Sequence, residues 1–135
     1  YGKKKFKLKL YNLDGENLFK LNSKYNVILS LGSLEHSYDI NLSLKNIYKA
    51  LNKNGYLLIR WRSDRMIGSP LEYFNHNHFR YFNRETWRLA LTKHDFRILK
   101  YIKKRIEGSD GYEYIIAKKT IKKRKKPIVL KKKLY

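Results

Sequence analysis

The sequence predicts an α/β fold with a partly parallel sheet, two amphipathic helices and an antiparallel strand pair at the C-terminal end. Three observations carry that prediction. Tyr25–Leu31 (YNVILSL) and Tyr56–Trp61 (YLLIRW) are apolar runs of strand length. Between them Leu44, Ile47, Tyr48 and Leu51 recur at helical spacing and form one apolar stripe. Phe96–Ile106 and Tyr112–Lys119 are separated only by the turn sequence Gly108-Ser109-Asp110-Gly111, and so short a gap forces the strands antiparallel.

Taken in order, Phe6, Leu8 and Leu10 alternate with Lys7, Lys9 and Tyr11, the pattern of a strand with one wet face. Its lysines suit a sheet edge, where charge discourages pairing with other chains. Tyr25–Leu31 is more continuously apolar and is expected to be buried on both faces. Asp39 or Asn41 offers the N-cap of the first helix, and Gly55 after Asn54 offers a left-handed stop. Strand, helix and strand in this length make a βαβ unit with parallel strands and a right-handed crossover. Arg62 to Tyr81 reads as a loop holding Gly68, Pro70 and two histidines. Asn83 then caps a second helix, Phe82 is placed to pack on Trp87, and Trp87, Ala90 and Leu91 form the buried stripe.

The chain has 135 residues, 42% of them hydrophobic, enough for one core over residues 1–119. From Thr120 the composition shifts: Lys122 to Lys126 is a basic run, and residues 120–135 read as a tail. Cysteine is absent, which excludes disulfides and thiolate metal sites. No apolar run suits a membrane span and no leader is visible, so a cytoplasmic location is expected. Tyr1 in place of methionine leads us to expect a longer parent chain. The net charge of +21 attracts anionic partners, nucleic acid among them, although a lysine-, asparagine-, isoleucine- and tyrosine-rich composition also arises by drift. A basic nucleic-acid-binding module is therefore an alternative reading, without a binding signature to support it. His76 and His78 form an H-x-H pair, but nothing completes a tetrahedral zinc set, and no metal is expected.

Ligands of open parallel sheets bind beyond the carboxyl ends of the strands. Three such ends are legible, followed by residues 12–18, 32–36 and 62–64. If all three strands run parallel, these loops converge on one rim. A carboxylate beside a small residue, as at Asp14-Gly15, can accept a hydrogen bond from an exocyclic amine. Gly32 and Ser33 let the backbone approach a ligand closely.

Five motifs in order resemble the C-terminal half of the class I S-adenosylmethionine (SAM)-dependent methyltransferases. They are Asp14-Gly15-Glu16-Asn17-Leu18, Tyr25–Ser30 with Leu34-Glu35-His36, Leu51–Leu57 (LNKNGYL), His78-Phe79-Arg80-Tyr81-Phe82 with Glu85-Thr86, and Asp110–Tyr114 with Ile115-Ile116-Ala117. The resemblance implies an incomplete Rossmann-like methyltransferase sheet, SAM as cofactor and a small-molecule or sugar-type acceptor. It implies cofactor contacts from Asp14, Gly15, Leu31, Gly32 and Ser33. His36, Arg60, Trp61, His78 and Arg80 then face the acceptor, with His78 or His36 as the general base. The family's glycine-rich turn is not matched, since Gly2 stands alone among lysines. The 135-residue chain by itself is therefore expected to be inactive, and a non-catalytic subunit that pairs with a complete enzyme is a further alternative. The family also places two strands between Phe6–Tyr11 and Tyr25–Leu31, so the first strand is expected to pair out of order with the second or to dock loosely. Asp95 stands where the family usually has glycine, and needs a left-handed backbone there. Some quinone-pathway relatives hold a divalent ion with an acidic residue followed by Glu and His; Gly32 replaces that acidic residue here.

Overall fold

The structure is a computed structural model that describes residues 9–62, 82–106 and 109–121. Four strands form one sheet: β1 (Tyr25–Leu31), β2 (Leu51–Arg62), β3 (Phe96–Ile106) and β4 (Ser109–Lys119), in the spatial order β1-β2-β4-β3. β1 and β2 are parallel, and β4 runs antiparallel to both β2 and β3. Helix α1 (Ile40–Ala50) makes the crossover between the parallel strands, and α2 (Arg84–Lys93) precedes the hairpin. The expected α/β architecture is what forms.

Local chemistry explains the element ends. Asp39 caps α1 by accepting from the Leu42 amide at 3.0 Å. Asn83 caps α2 through a reciprocal pair: its side chain accepts from Thr86 N and its own amide donates to Thr86 Oγ1. Phe82 stacks on Trp87 with ring centroids 4.1 Å apart, the expected staple. Asp95 does take the left-handed conformation, with φ 63°, and its carbonyl accepts from both the amide and the hydroxyl of Thr120.

Both helices pack on one face of the sheet. Leu44 and Ile47 from α1 and Trp87 and Leu91 from α2 meet Leu57, Ile59, Trp61, Ile115 and Ala117 from the strands, all buried. The alternation of these strand residues leaves the opposite face to Val27, Leu29, Leu31, Leu58, Arg60, Tyr112, Tyr114 and Ile116.

Three expectations are corrected. Tyr25–Leu31 is not buried on both faces: Val27, Leu29 and Leu31 are 50%, 58% and 50% exposed, because both helices cover the other face. Gly55 does not end α1. The helix stops at Ala50, where Lys24 and Lys119 ammonium groups bond the carbonyls of Lys49, Tyr48 and Leu51, and cations suit a helix C-terminus. Asn54 supplies the left-handed residue, with φ 63°, within β2, where the register jumps from Tyr25↔Leu51 to Val27↔Tyr56. Gly55 is required there by close approach, since a Cβ would lie 3.0 Å from Asn52 O and 3.2 Å from Asn26 O. The strand expected at Phe6–Tyr11 lies outside the described residues up to residue 8, and from Lys9 to Asp14 the chain is irregular. In the described part of this segment, no neighbouring strand holds the backbone extended. The tail from Lys122 also lies outside the described residues, as does the loop from Ser63 to Tyr81.

Trp87 is fully buried and touches both Phe82 and Trp61. Trp87→Ala should cost roughly 3–5 kcal/mol of stability, the usual penalty for emptying so large a site. Urea denaturation of the two chains compares them directly.

Candidate functional site

The parallel pairing of β1 and β2 brings their carboxyl ends side by side. The Gly32 amide extends the ladder by donating to Arg60 O at 2.9 Å, and Gly32 then turns the chain with φ 70°. Leu34–His36 follows as one 3₁₀ turn, held by Leu34 N donating to Ser30 Oγ at 3.2 Å and His36 N to Ser33 O at 3.0 Å.

A second 3₁₀ segment, Gly15–Leu21, lies against α1. Asp14 caps it: Oδ1 accepts from Asn17 N at 2.9 Å and from Asn17 Nδ2 at 2.7 Å. Glu16 fixes its position. One carboxylate oxygen, Oε1, accepts from Ser37 Oγ and from Asp39 N, both at 2.8 Å. Ser37 Oγ in turn lies 2.6 Å from Ser43 Oγ. From α1, the buried Asn46 donates to the Glu16 carbonyl at 2.7 Å and to the Gly15 carbonyl at 3.3 Å. Gly15 must be small here, because a Cβ would meet Ser43 Oγ at 2.8 Å.

These two segments enclose a pocket of about 460 Å³ lined by Leu13, Asp14, Gly15, Glu16, Ser33, Leu34, His36, Ser37, Tyr38 and Ser43. The size suits a small-molecule site. Of the residues picked from the sequence, Asp14, Gly15, Ser33 and His36 come together in it. Leu31 and Gly32 precede it on β1 and its turn, and Leu31 sits on the open sheet face. Arg60 also lies on that face, with its guanidinium 4.7 Å from the centre of the Tyr112 ring. Trp61, expected to face an acceptor, is 3% exposed and packs 5.9 Å from Trp87, a place in the core. The alternation of β2 sends Arg60 and Trp61 to opposite faces. His78 and Arg80 lie outside the described residues.

Sequence reasoning passed over Glu16, Ser43 and Asn46. A signal was present for two of them. Ser43 and Asn46 are polar residues three apart on a helix whose neighbouring positions Leu44 and Ile47 are apolar, and both are buried. Buried polar groups need partners: Asn46 finds them in the loop that carries Asp14, and Ser43 in Ser37, which itself bonds Glu16 of that loop. Asp14 spends Oδ1 on its cap, and its second oxygen is in no hydrogen bond among the described residues.

A family model for the methyltransferase domain matches residues 4–101. The chain therefore belongs to the class I SAM-dependent methyltransferases. No curated protein matches it by sequence. Among solved structures, a SAM-dependent methyltransferase from Clostridium acetobutylicum ATCC 824 aligns with TM-score 0.65 and 14% identity, covering 87% of this chain and 68% of that one. A SAM-dependent methyltransferase from Thermotoga maritima aligns with TM-score 0.62 and 21% identity, covering 84% and 65%. Magnesium protoporphyrin IX methyltransferase from Synechocystis PCC 6803, solved with S-adenosylhomocysteine, aligns with TM-score 0.58 and 14% identity, covering 76% and 48%. The chain thus spans about half to two-thirds of the length of these structures, and the likeness at such identities concerns the fold.

Hydrogen bonds from the Asp39 amide and, next, the Ser37 hydroxyl hold the Glu16 carboxyl below its ordinary range. A depressed carboxyl contributes stability that is complete above the unfolded-state value, about 4.3, and is lost as pH falls through the folded-state value. The Asp39 amide resonance should therefore titrate at a pH below the ordinary carboxylate range. In Glu16→Gln that step should vanish, and the loop carrying Asp14 should loosen at neutral pH. An Asp39 amide that titrates identically in both chains would contradict the tether.

Proposed function

We propose that this chain supplies the adenine-side and acceptor-side walls of a SAM-dependent methyltransferase acting on a small-molecule or sugar-type acceptor. The single observation supporting this is the meeting of Asp14, Gly15, Ser33 and His36 in one pocket at the carboxyl end of the parallel strand β1. When bound, SAM supplies a methyl group on a sulfonium, ready for displacement by an oxygen, nitrogen or carbon nucleophile. Asp14 accepts from the adenine amine, while Gly15 keeps the approach free of a side chain. Ser33 and the Gly32 backbone border the other end of the cofactor. His36 is the pocket's imidazole and takes the proton that an acceptor hydroxyl or amine releases; His78 is the second candidate for that role. Alignment of the two reactants is the protein's main contribution.

Tight cofactor binding in this family reading needs a glycine-rich turn that the 135 residues do not contain. The chain alone is accordingly inactive and binds SAM weakly. The alternative of a nucleic-acid module rests on the net charge of +21; a phosphate binder would lose affinity steeply as salt rises, and the methyltransferase reading expects no such specific complex.

Titration with S-adenosylhomocysteine, followed by amide NMR, tests the reading. The expected result is a dissociation constant in the millimolar range, with shifts concentrated at Asp14, Gly15, Ser33 and His36 and weakened severalfold by Asp14→Ala. Shifts elsewhere would overturn the cofactor placement, and a micromolar constant would overturn the claim that the chain alone binds weakly.

A further inference from the structure

Glu35 is 7% exposed, and its Oε2 is fully buried with no hydrogen-bond partner. Arg60 presents the complementary case: its Nε is buried and equally without a partner. Native proteins pair nearly all such atoms, and a buried unpaired charge is among the most costly features a fold can carry. The two residues are neighbours across Gly32. A Cβ built on Gly32 would lie 3.8 Å from Glu35 Oε1 and 3.7 Å from Arg60 Nη2. Yet they form no ion pair with each other among the described residues. Glu35 Oε1 and Arg60 Nη2 thus both border the position that Gly32 leaves without a side chain, near the carboxyl ends of β1 and β2.

Neither group is placed for the pocket already described, whose lining includes Ser33, Leu34 and His36 but neither Glu35 nor Arg60. Arg60 is steadied from the other side by the Tyr112 ring at 4.7 Å. Tyr112 therefore holds the guanidinium in place without using up its donors.

We propose that Glu35 and Arg60 form a two-point subsite for an acceptor bearing an ammonium group beside an anionic group, the ammonium donating to Glu35 and the anion accepting from Arg60. The assignment of this ligand as the acceptor rests on the methyltransferase reading; the two-point recognition does not. A ligand with both charges meets both groups at once, through Glu35 Oε1 and Arg60 Nη2, whereas a lone cation or a lone anion meets only one of them. A side chain at Gly32 would lie against both groups, and φ 70° already disfavours one.

The test uses the full chain, with 4-aminobutyrate as probe and butylamine and butyrate as its two halves. Amide NMR reports on Gly32, and the Arg60 Nε–H resonance reports on the guanidinium itself. The expected result is saturable movement of both signals with 4-aminobutyrate in the millimolar range, about tenfold tighter than with either half. Glu35→Gln, which keeps shape and removes charge, should erase the preference over butyrate; Arg60→Gln, which removes the guanidinium charge, should erase the preference over butylamine, read there from the Gly32 amide. Equal binding of either half, an unchanged preference in both variants, or no movement of these two signals would overturn the subsite. No cofactor enters the experiment, so its failure leaves the cofactor titration untouched, and failure of that titration leaves the two-point recognition standing.

Discussion

The parallel ladder between β1 and β2 is the constraint on which the site depends. Its last bond, from Gly32 N to Arg60 O, fixes where β1 ends and in which direction the next residues leave. A slip by one residue would exchange the two faces of β1 and carry Ser30, which holds the Leu34 amide, to the open side. The close approach at Gly55 and the side-chain bond from Asn52 to Asn26 at 2.8 Å set that register from the opposite end of the strand. Residues far from the pocket therefore decide its geometry.

The second support is polar. α1 buries Ser43 and Asn46 beside Leu44 and Ile47, so one helix serves the apolar core and the loop carrying Asp14. A purely apolar helix would pack on the sheet equally well but would have nothing with which to grip the carbonyls of Gly15 and Glu16. The loop itself has no fully buried residue of its own between Gly15 and Leu21. Leu18 packs partly buried against the core, and hydrogen bonds supply the rest of its hold, so its geometry is sensitive to the charge state of a single carboxyl.

Much of the fold was legible because local rules and the tertiary structure agree. The βαβ unit, the Asn83 cap with its Phe82–Trp87 staple and the hairpin all follow from spacing and turn chemistry, and the left-handed Asp95 was implied by the family resemblance. What failed were inferences about surroundings. An apolar run such as YNVILSL records what a strand tolerates, and cannot say whether a second layer lies over Val27 and Leu29. The helix stop was misplaced for a related reason: two lysines, one of them remote in sequence, satisfy the last carbonyls, and pattern reading looks only at adjacent residues. Asp14, Gly15 and His36 stood in motifs and Ser33 in the loop after the second apolar run, and the four line one pocket. Trp61 was misjudged because strand alternation, applied to Arg60 and Trp61 together, allows only one of them on the rim. Glu16 and Glu35 carried no sequence signal beyond their motifs, since burial and partners emerge only when distant segments meet.

The bare side of β1 has a colloidal consequence. Val27, Leu29 and Leu31 form a row of half-exposed aliphatic groups on the open face of the sheet, the kind of surface that adheres to other apolar surfaces. A charge of +21 on every molecule opposes that adhesion at long range. That opposition weakens as counterions shorten the reach of the repulsion.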